Sequence, residues 1–380
     1  MSDAPVFEGE AWAQAVEENA NPCQSQGKGL FFFLPEGLFE RSFANLEAGA
    51  SYVPQKGGDV TSLVQRGLLL LALVLALAAA VACGEGGGEP TPGASPTVLG
   101  AVQVPYPLTI VDTVGREVII EAQPQRIASL SPAATESLFA IGAGDQVIAV
   151  DKFSNYPQEA TTRQQLDAYE PNLEAIAGVQ PDLVLLFYDP GELADSLERL
   201  GITTAVLGSV EETPESVEAV FGQIRLLGQM TDHVQEAEEL VADMQGRIDA
   251  IEEALADVEQ GPRIFHEVDA TLYTAAPASF IGGLYKILKA QNIAAEADQP
   301  FPQLSQEVII ERDPEVIILA DGDYGESPDT VKGRPGWENI SAVRNGRIFV
   351  IDPDIVSRPG PRCVEALETL AEYLYPERFE

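Results

Sequence analysis

Glu174-Ala-Ile-Ala-Gly-Val-Gln-Pro181-Asp182-Leu-Val-Leu-Leu186 recurs later in the chain as Glu307-Val-Ile-Ile-Glu-Arg-Asp-Pro314-Glu315-Val-Ile-Ile-Leu319. Each copy is a Glu, six residues, a Pro, an acid and a four-residue apolar run. Upstream, Arg126-Ile-Ala-Ser-Leu is answered by Arg263-Ile-Phe-His-Glu, each a short strand leading toward a helical stretch. Similarity at a fixed offset implies two structurally equivalent lobes. The β-rich runs Leu183–Leu186 and Val316–Leu319, alternating with helical stretches, indicate parallel α/β sheets in both lobes.

A different segment lies between the copies. Val234, Ala237, Val241, Met244, Ile248, Ile251, Leu255 and Val258 follow an alternating three- and four-residue spacing, one apolar stripe on a helix. Acids such as Glu238, Glu239, Glu252 and Glu253 occupy the rest of its surface. The pattern predicts a single helix from about Thr231 to Gln260, ~45 Å long at 1.5 Å per residue, ended by Gly261-Pro262. Laid across both lobes, it would act as a stiff strut. The expected fold is therefore α/β: two Rossmann-like lobes with central parallel sheets, joined by one long α-helix; the resemblance described below implies in addition a ligand cleft between the lobes. The boundaries are 105–228 for the N-terminal lobe, 229–260 for the inter-lobe helix and 261–380 for the C-terminal lobe.

The chain has 380 residues, 22 Lys+Arg against 60 Asp+Glu, three Cys and two His. A formal charge of −38 argues against nucleic-acid binding, which needs a basic face to displace counterions. Two histidines, His233 and His266, cannot build a clustered imidazole metal site. Cys23, Cys83 and Cys363 are odd in number and widely spaced, so no disulfide framework is expected. No Gly-x-Ser-x-Gly, phosphate-cradling loop or dinucleotide fingerprint occurs. The expectation is a protein without catalytic residues, resident metal or cofactor. An enzyme on a related two-lobed, chelatase-like fold is the rival class.

Leu68 to Ala82 reads LLLLALVLALAAAVA, after Arg66 and before Cys83. That is short for a membrane span, which needs ~20 residues, and suits the apolar region of an export signal. Ala80-Val81-Ala82-Cys83 resembles the lipobox of bacterial lipoproteins, which implies cleavage before Cys83 and lipid on its sulfur. Gly84 to Thr97 is Gly/Pro/Thr-rich and reads as a flexible tether. The assignments are 1–63, a mis-annotated or disordered extension with synthesis starting near Leu63 or Val64; 64–82, a lipoprotein signal peptide; and 83–104, a lipid-anchored tether.

The body is similar to class III substrate-binding proteins of bacterial ABC importers, the group that serves cobalamin, ferric siderophores and haem. The resemblance runs from about Tyr106 to Phe379 and is carried by Pro124-Gln-Arg-Ile-Ala-Ser-Leu-Ser-Pro132-Ala-Ala-Thr-Glu136, Asn155-Tyr-Pro, Asn172-Leu-Glu174, Gln180-Pro-Asp-Leu, Pro302-Gln-Leu-Ser-Gln-Glu307, Ala342-Val-Arg-Asn-Gly346 and Arg358-Pro-Gly-Pro-Arg362. It implies a monomer on the outer face of the cell membrane, delivering cargo to an ABC permease and its ATPase. By resemblance, Phe153, Phe301, Asp354 and Arg358 fall where cobalamin-binding members touch ligand, and Glu174 and Glu307 where a Glu on each lobe meets arginines of the permease. Without the family, those two acids read as dipole complements at helix starts.

In open α/β sheets ligands sit beyond the carboxyl ends of the strands. Those ends carry Phe153, Tyr156, Tyr169, Phe187 and Tyr188 in the first lobe, and Tyr273, Phe301, Asp354 and Arg358 in the second. Loop aromatics as a set fit a broad, partly apolar ligand. Arg358, Arg334, Arg362 and Lys152 are the candidate cations on a strongly acidic body, whose long-range field opposes an anionic ligand. Cobalamin is expected first. A cationic hydroxamate siderophore is the alternative, as is haem with His266 or a cleft tyrosine as axial donor, although His266, within the strand Arg263–Val268, reads first as an ordinary half-buried histidine.

Overall fold

Ile127–Leu130, Leu183–Leu186 and Val316–Leu319 are buried along their whole length, which marks central strands covered on both faces. The computed structural model describes residues 103–189, 191–208 and 216–379, all within one compact unit, Leu99–Glu380. The readings of 1–63, of 64–82 and of Cys83, and nearly all of the tether, lie outside the described residues.

The N-terminal lobe opens with an antiparallel hairpin, β1 (Leu108–Val111) and β2 (Glu117–Ile120). Then come β3 (Ile127–Leu130), α1 (Pro132–Ala140), β4 (Val147–Asp151), β5 (Gln164–Leu166), α2 (Leu173–Gly178), β6 (Leu183–Leu186), α3 (Leu193–Arg199) and β7 (Thr203–Val206). Its parallel sheet has the order β5-β4-β3-β6-β7. Two helices follow, α4 (Val217–Thr231) and α5 (Val234–Ala254). The C-terminal lobe contains β8 (Arg263–Glu267), α6 (Phe280–Ile287), β9 (Gln291–Asn292), α7 (Gln306–Arg312), β10 (Val316–Leu319), α8 (Pro328–Lys332), α9 (Ser341–Asn345), β11 (Ile348–Val350), α10 (Pro353–Ser357) and α11 (Cys363–Leu374). Its parallel sheet runs β11-β10-β8-β9.

The duplicated motif does the same structural work in each lobe. Asp182 accepts from the backbone N–H groups of Gln125 and Arg126, and Glu315 accepts from that of Arg263, so each acid pins the start of the neighbouring central strand. Conversely, Arg126 donates to the carbonyls of Val179 and Gln180, and Arg263 to that of Asp313. These are the carbonyls left open at the ends of α2 and α7. Gln180 and Asp313 both adopt the left-handed conformation that turns the chain from helix into strand.

The inter-lobe helix is shorter than the spacing predicted. α5 spans Val234–Ala254, 21 residues and ~32 Å at 1.5 Å per residue. At its start the chain breaks at Asp232, which is left-handed (φ 63) and accepts from the Val104 N–H at 2.7 Å. At its end, Lys289 Nζ takes the carbonyls of Leu255 and Ala256, and Arg378 takes that of Ala254, so tertiary donors stop the helix six residues early. The stripe itself is real: Ala237, Val241, Met244, Ile248 and Ile251 are buried, and so is Leu255 just beyond. The helix packs on α4 from the first lobe and on α11 from the second, where Arg247 holds Glu368 through Nε–Oε1 at 2.8 Å and Nη2–Oε2 at 2.6 Å. Gly228 allows the close approach to α4, since a Cβ there would lie 2.5 Å from that of Ala237.

Candidate functional site

In each sheet the chain moves outward from a central strand, then crosses to the strand's other side. The crossings fall between β3 and β6 and between β8 and β10. Crevices at such switch points, at the carboxyl ends of the strands, are the usual ligand sites of open α/β sheets.

Four of the sequence-predicted residues meet across the two lobes, Phe153 and Tyr156 from the loop after β4 and Asp354 and Arg358 from α10, after β11. Arg358, just after α10, donates through Nη1 to Glu136 Oε1 (3.0 Å) and Asn155 Oδ1 (2.8 Å), and through Nη2 to the Phe153 carbonyl (3.1 Å) and Asp354 Oδ1 (2.6 Å). Asp354 Oδ2 in turn accepts from Asn155 Nδ2 at 2.6 Å. Arg362, at the start of α11, reaches Glu136 through Nε (2.9 Å) and Nη2 (2.6 Å), with its guanidinium carbon 4.2 Å from the centre of the Tyr156 ring. Tyr156 remains 45% exposed, so one ring face is open to a ligand.

The other predicted residues form two groups. Tyr169 is exposed on the loop after β5, with its backbone N–H on Asp167 Oδ1. Tyr188 is half-buried after β6, edge-on to Phe187, and burial together with the nearby Tyr169 raises its hydroxyl pKa. In the second lobe, an antiparallel bridge between Tyr273 and Gln303 draws together the loop after β8 and the segment carrying half-buried Phe301.

Sequence reasoning did not place Glu136 in the site. It is the one ionisable residue on α1, among Ala, Thr, Ser, Leu and Phe, and is 2% exposed, yet it anchors two arginines from the opposite lobe. An ionisable residue in the middle of such a helix is the signal that pointed to it. Glu267 and Asp321 were likewise missed. Glu267, fully buried at the end of β8, is gripped by Arg334, which also donates to Glu326 (2.7 Å) and stacks 4.6 Å above Trp337. Asp321, two residues past the end of β10, is 2% exposed, and neither carboxyl oxygen has a hydrogen-bond partner among the described residues. Burial and the charge of Glu267 push its pKa up to about 7.

His266 does not reach the cleft. It is completely buried on β8, its Nδ1 lies 2.8 Å from the Tyr285 hydroxyl, and burial lowers its pKa to about 3. It is a structural histidine of the strand, the reading that its place within Arg263–Val268 favoured over an axial donor to haem; β8 is covered on both faces.

Glu174 and Glu307 occupy matching positions. Each lies in the first turn of the helix before the strand β6 or β10, exposed, behind a capping residue: Asn172 accepts from the Ala175 N–H and Ser305 from the Val308 N–H. The Glu307 carboxyl is held below its usual range by its own backbone N–H and by the Ser305 hydroxyl.

This architecture has recognisable relatives. Residues 127–355 match the sequence profile of the periplasmic binding protein family. The chain belongs to that family. The ABC transporter substrate-binding lipoprotein YvrC of Bacillus subtilis is 31% identical over 283 residues, 72% of this chain and 88% of the relative. A cobalamin-binding protein of Halobacterium salinarum is 28% identical over 279 residues, 70% of this chain and 73% of the relative. Among solved structures, a possible iron-binding periplasmic solute-binding protein of Staphylococcus epidermidis superposes with a TM-score of 0.58 at 29% identity, covering 67% of this chain and all of that one. The two-lobed α/β arrangement is the family's, and the B. subtilis relative is named as a substrate-binding protein of an ABC transporter.

Proposed function

We propose that this periplasmic binding protein captures cobalamin, or a similarly bulky and near-neutral metal chelate, and delivers it to an ABC import permease with its ATPase. One observation carries the ligand reading. Each candidate cation of the cleft is already paired with a carboxylate: Arg358 with Glu136 and Asp354, Arg362 with Glu136, Lys152 with Asp167, and Arg334 with Glu267 and Glu326. A site built to hold an anionic chelate needs uncommitted positive charge. Aromatic rings at the rim, Tyr156 and Tyr169 among them, suit a flat and partly apolar solute instead. The name of the Halobacterium relative supports the same choice.

Glu174 and Glu307, one per lobe, would dock the loaded protein on the two halves of the permease, fixing orientation more than affinity. Lipid on Cys83 would tether the body to the outer face of the cell membrane, in keeping with the lipoprotein name of the B. subtilis relative. A ferric hydroxamate or haem is the second reading, in keeping with the S. epidermidis protein, described as a possible iron-binding protein. Calorimetric titration with cyanocobalamin, ferrioxamine B and haemin decides between them. Stoichiometric binding of cyanocobalamin, recovered unchanged, is the expected result. Absence of corrinoid binding removes the first reading, and chemical turnover of any of the three supports the rival enzyme.

A further inference from the structure

The ring of contacts around Glu136 has an electrostatic consequence for ligand choice. Glu136 sits on α1 of the first lobe and is 2% exposed, while Arg358 and Arg362 come from the second lobe with side chains 13% and 11% exposed. Both guanidinium groups share the one carboxylate: Arg358 Nη1 and Arg362 Nη2 converge on Oε1, and Arg362 Nε takes Oε2. The second acid, Asp354, is 27% exposed, far more open to solvent than Glu136, and lies 2.6 Å from Arg358 Nη2. Two arginines therefore face Glu136 and Asp354, with Asp352 adding a further negative charge near Arg362, and Glu136 alone is buried away from any solute. A buried charge is weakly screened, so its removal is felt across the cleft.

We propose that Glu136 is the residue that sets the charge preference of the cleft: buried behind Arg358 and Arg362, it cancels and orients them, so that uncharged or cationic chelates are accepted and anionic ones disfavoured. It is a positioning residue, acting through the two arginines and not by touching the solute. This inference rests on the proposed binding of ligand in the inter-lobe cleft.

The test compares two solutes that differ by one charge, cyanocobalamin and a monocarboxylic acid made by hydrolysing one of its side-chain amides. Both are titrated into the purified full chain. The native protein should prefer the neutral corrinoid. Glu136→Gln should shift the ratio of the two affinities about tenfold toward the acid, the size expected for one charge acting over several ångströms at intermediate dielectric. Glu136→Asp should keep the native ratio, and Glu136→Gln with Arg362→Gln should restore it. Equal loss of both affinities in Glu136→Gln, with the ratio unmoved, would reduce Glu136 to a structural clasp and overturn the proposal. Should Glu136→Gln fail to fold, Arg362→Gln alone leaves the acid in excess and should widen the discrimination; no widening overturns the proposal. If the native protein binds neither corrinoid, the cobalamin reading falls separately. Citrate then decides the charge claim by thermal shift: Glu136→Gln should gain stabilisation that the native protein lacks, and no gain overturns it.

Discussion

Asn155 Nδ2, on the loop that leaves β4, donates to Asp354 Oδ2 in the first turn of α10 at 2.6 Å, joining the two lobes at the level of the cleft. Arg358 closes the bridge by binding both partners from its own side. A solute entering here meets polar groups that already satisfy one another, so its amides must exchange partners rather than relieve orphans. Such exchange contributes little net free energy per bond. Affinity should then come mainly from shape and from the aromatic rim.

That expectation separates Phe301 from Arg358. Phe301→Ala should weaken cyanocobalamin binding about tenfold while changing stability by no more than about 1–2 kcal/mol. Arg358→Ala removes four hydrogen bonds and leaves Glu136 buried with a single partner, so it should lose roughly 2–4 kcal/mol of stability as well as affinity. Urea denaturation alongside calorimetry checks both. Unchanged affinity in the Phe301 variant would move that ring out of the cleft.

Changing Glu174 and Glu307 together to Ala should leave ligand affinity and melting temperature intact, because both side chains are exposed. Uptake of the ligand by cells carrying the double variant should stop. Normal transport would show that the matching helix starts have no docking role.

Asp321 gives a pH signature. Its folded-state pKa of about 7 lies above the ordinary aspartate value of ~3.9 expected for the unfolded chain. Between those two values the folded protein holds a proton that the unfolded chain has released, so this group's contribution to stability falls as pH rises from about 4 to 7. Asp321→Asn cannot titrate. It should match the native protein at pH 4 and exceed it at pH 8 by up to about 4 kcal/mol, about three pH units at ~1.36 kcal/mol each, measured by urea midpoints. A difference independent of pH would remove the assignment.

Gly228 tests how tightly the inter-lobe helix is seated. Gly228→Ala places a methyl group 2.5 Å from the Cβ of Ala237 and 2.9 Å from the His233 carbonyl oxygen, so α4 and α5 must separate. Despite the better helix propensity of Ala, the variant should lose roughly 1–3 kcal/mol. A melting temperature at or above the native one would mean that the two helices yield easily.

Cys83→Ser should release the protein from membranes into the soluble extracytoplasmic fraction. Tight membrane association of the variant would contradict lipidation.

The strand and helix pattern was legible because local chemistry writes it. The runs Leu183–Leu186 and Val316–Leu319 became β6 and β10 to the residue, since four apolar residues behind Pro and an acid leave the backbone few alternatives. The apolar stripe of the inter-lobe helix was equally clear, but its ends were not. Asp232 breaks the helix by holding the Val104 N–H, and Lys289 and Arg378 end it from distant loops. No periodicity in the stripe itself reports such partners.

The cleft divides along the same line. Sequence alone determined two equivalent α/β lobes, the acidic charge, the aromatic loops and the matched glutamates Glu174 and Glu307, because each is a local pattern repeated along the chain. Only the tertiary structure decided that Arg358 and Arg362 are committed to Glu136, more than two hundred residues earlier, and that Glu267 and Asp321 lie buried behind the second switch point. Charge pairing and burial depend on distance in space, and a residue's neighbours in the chain do not set that distance.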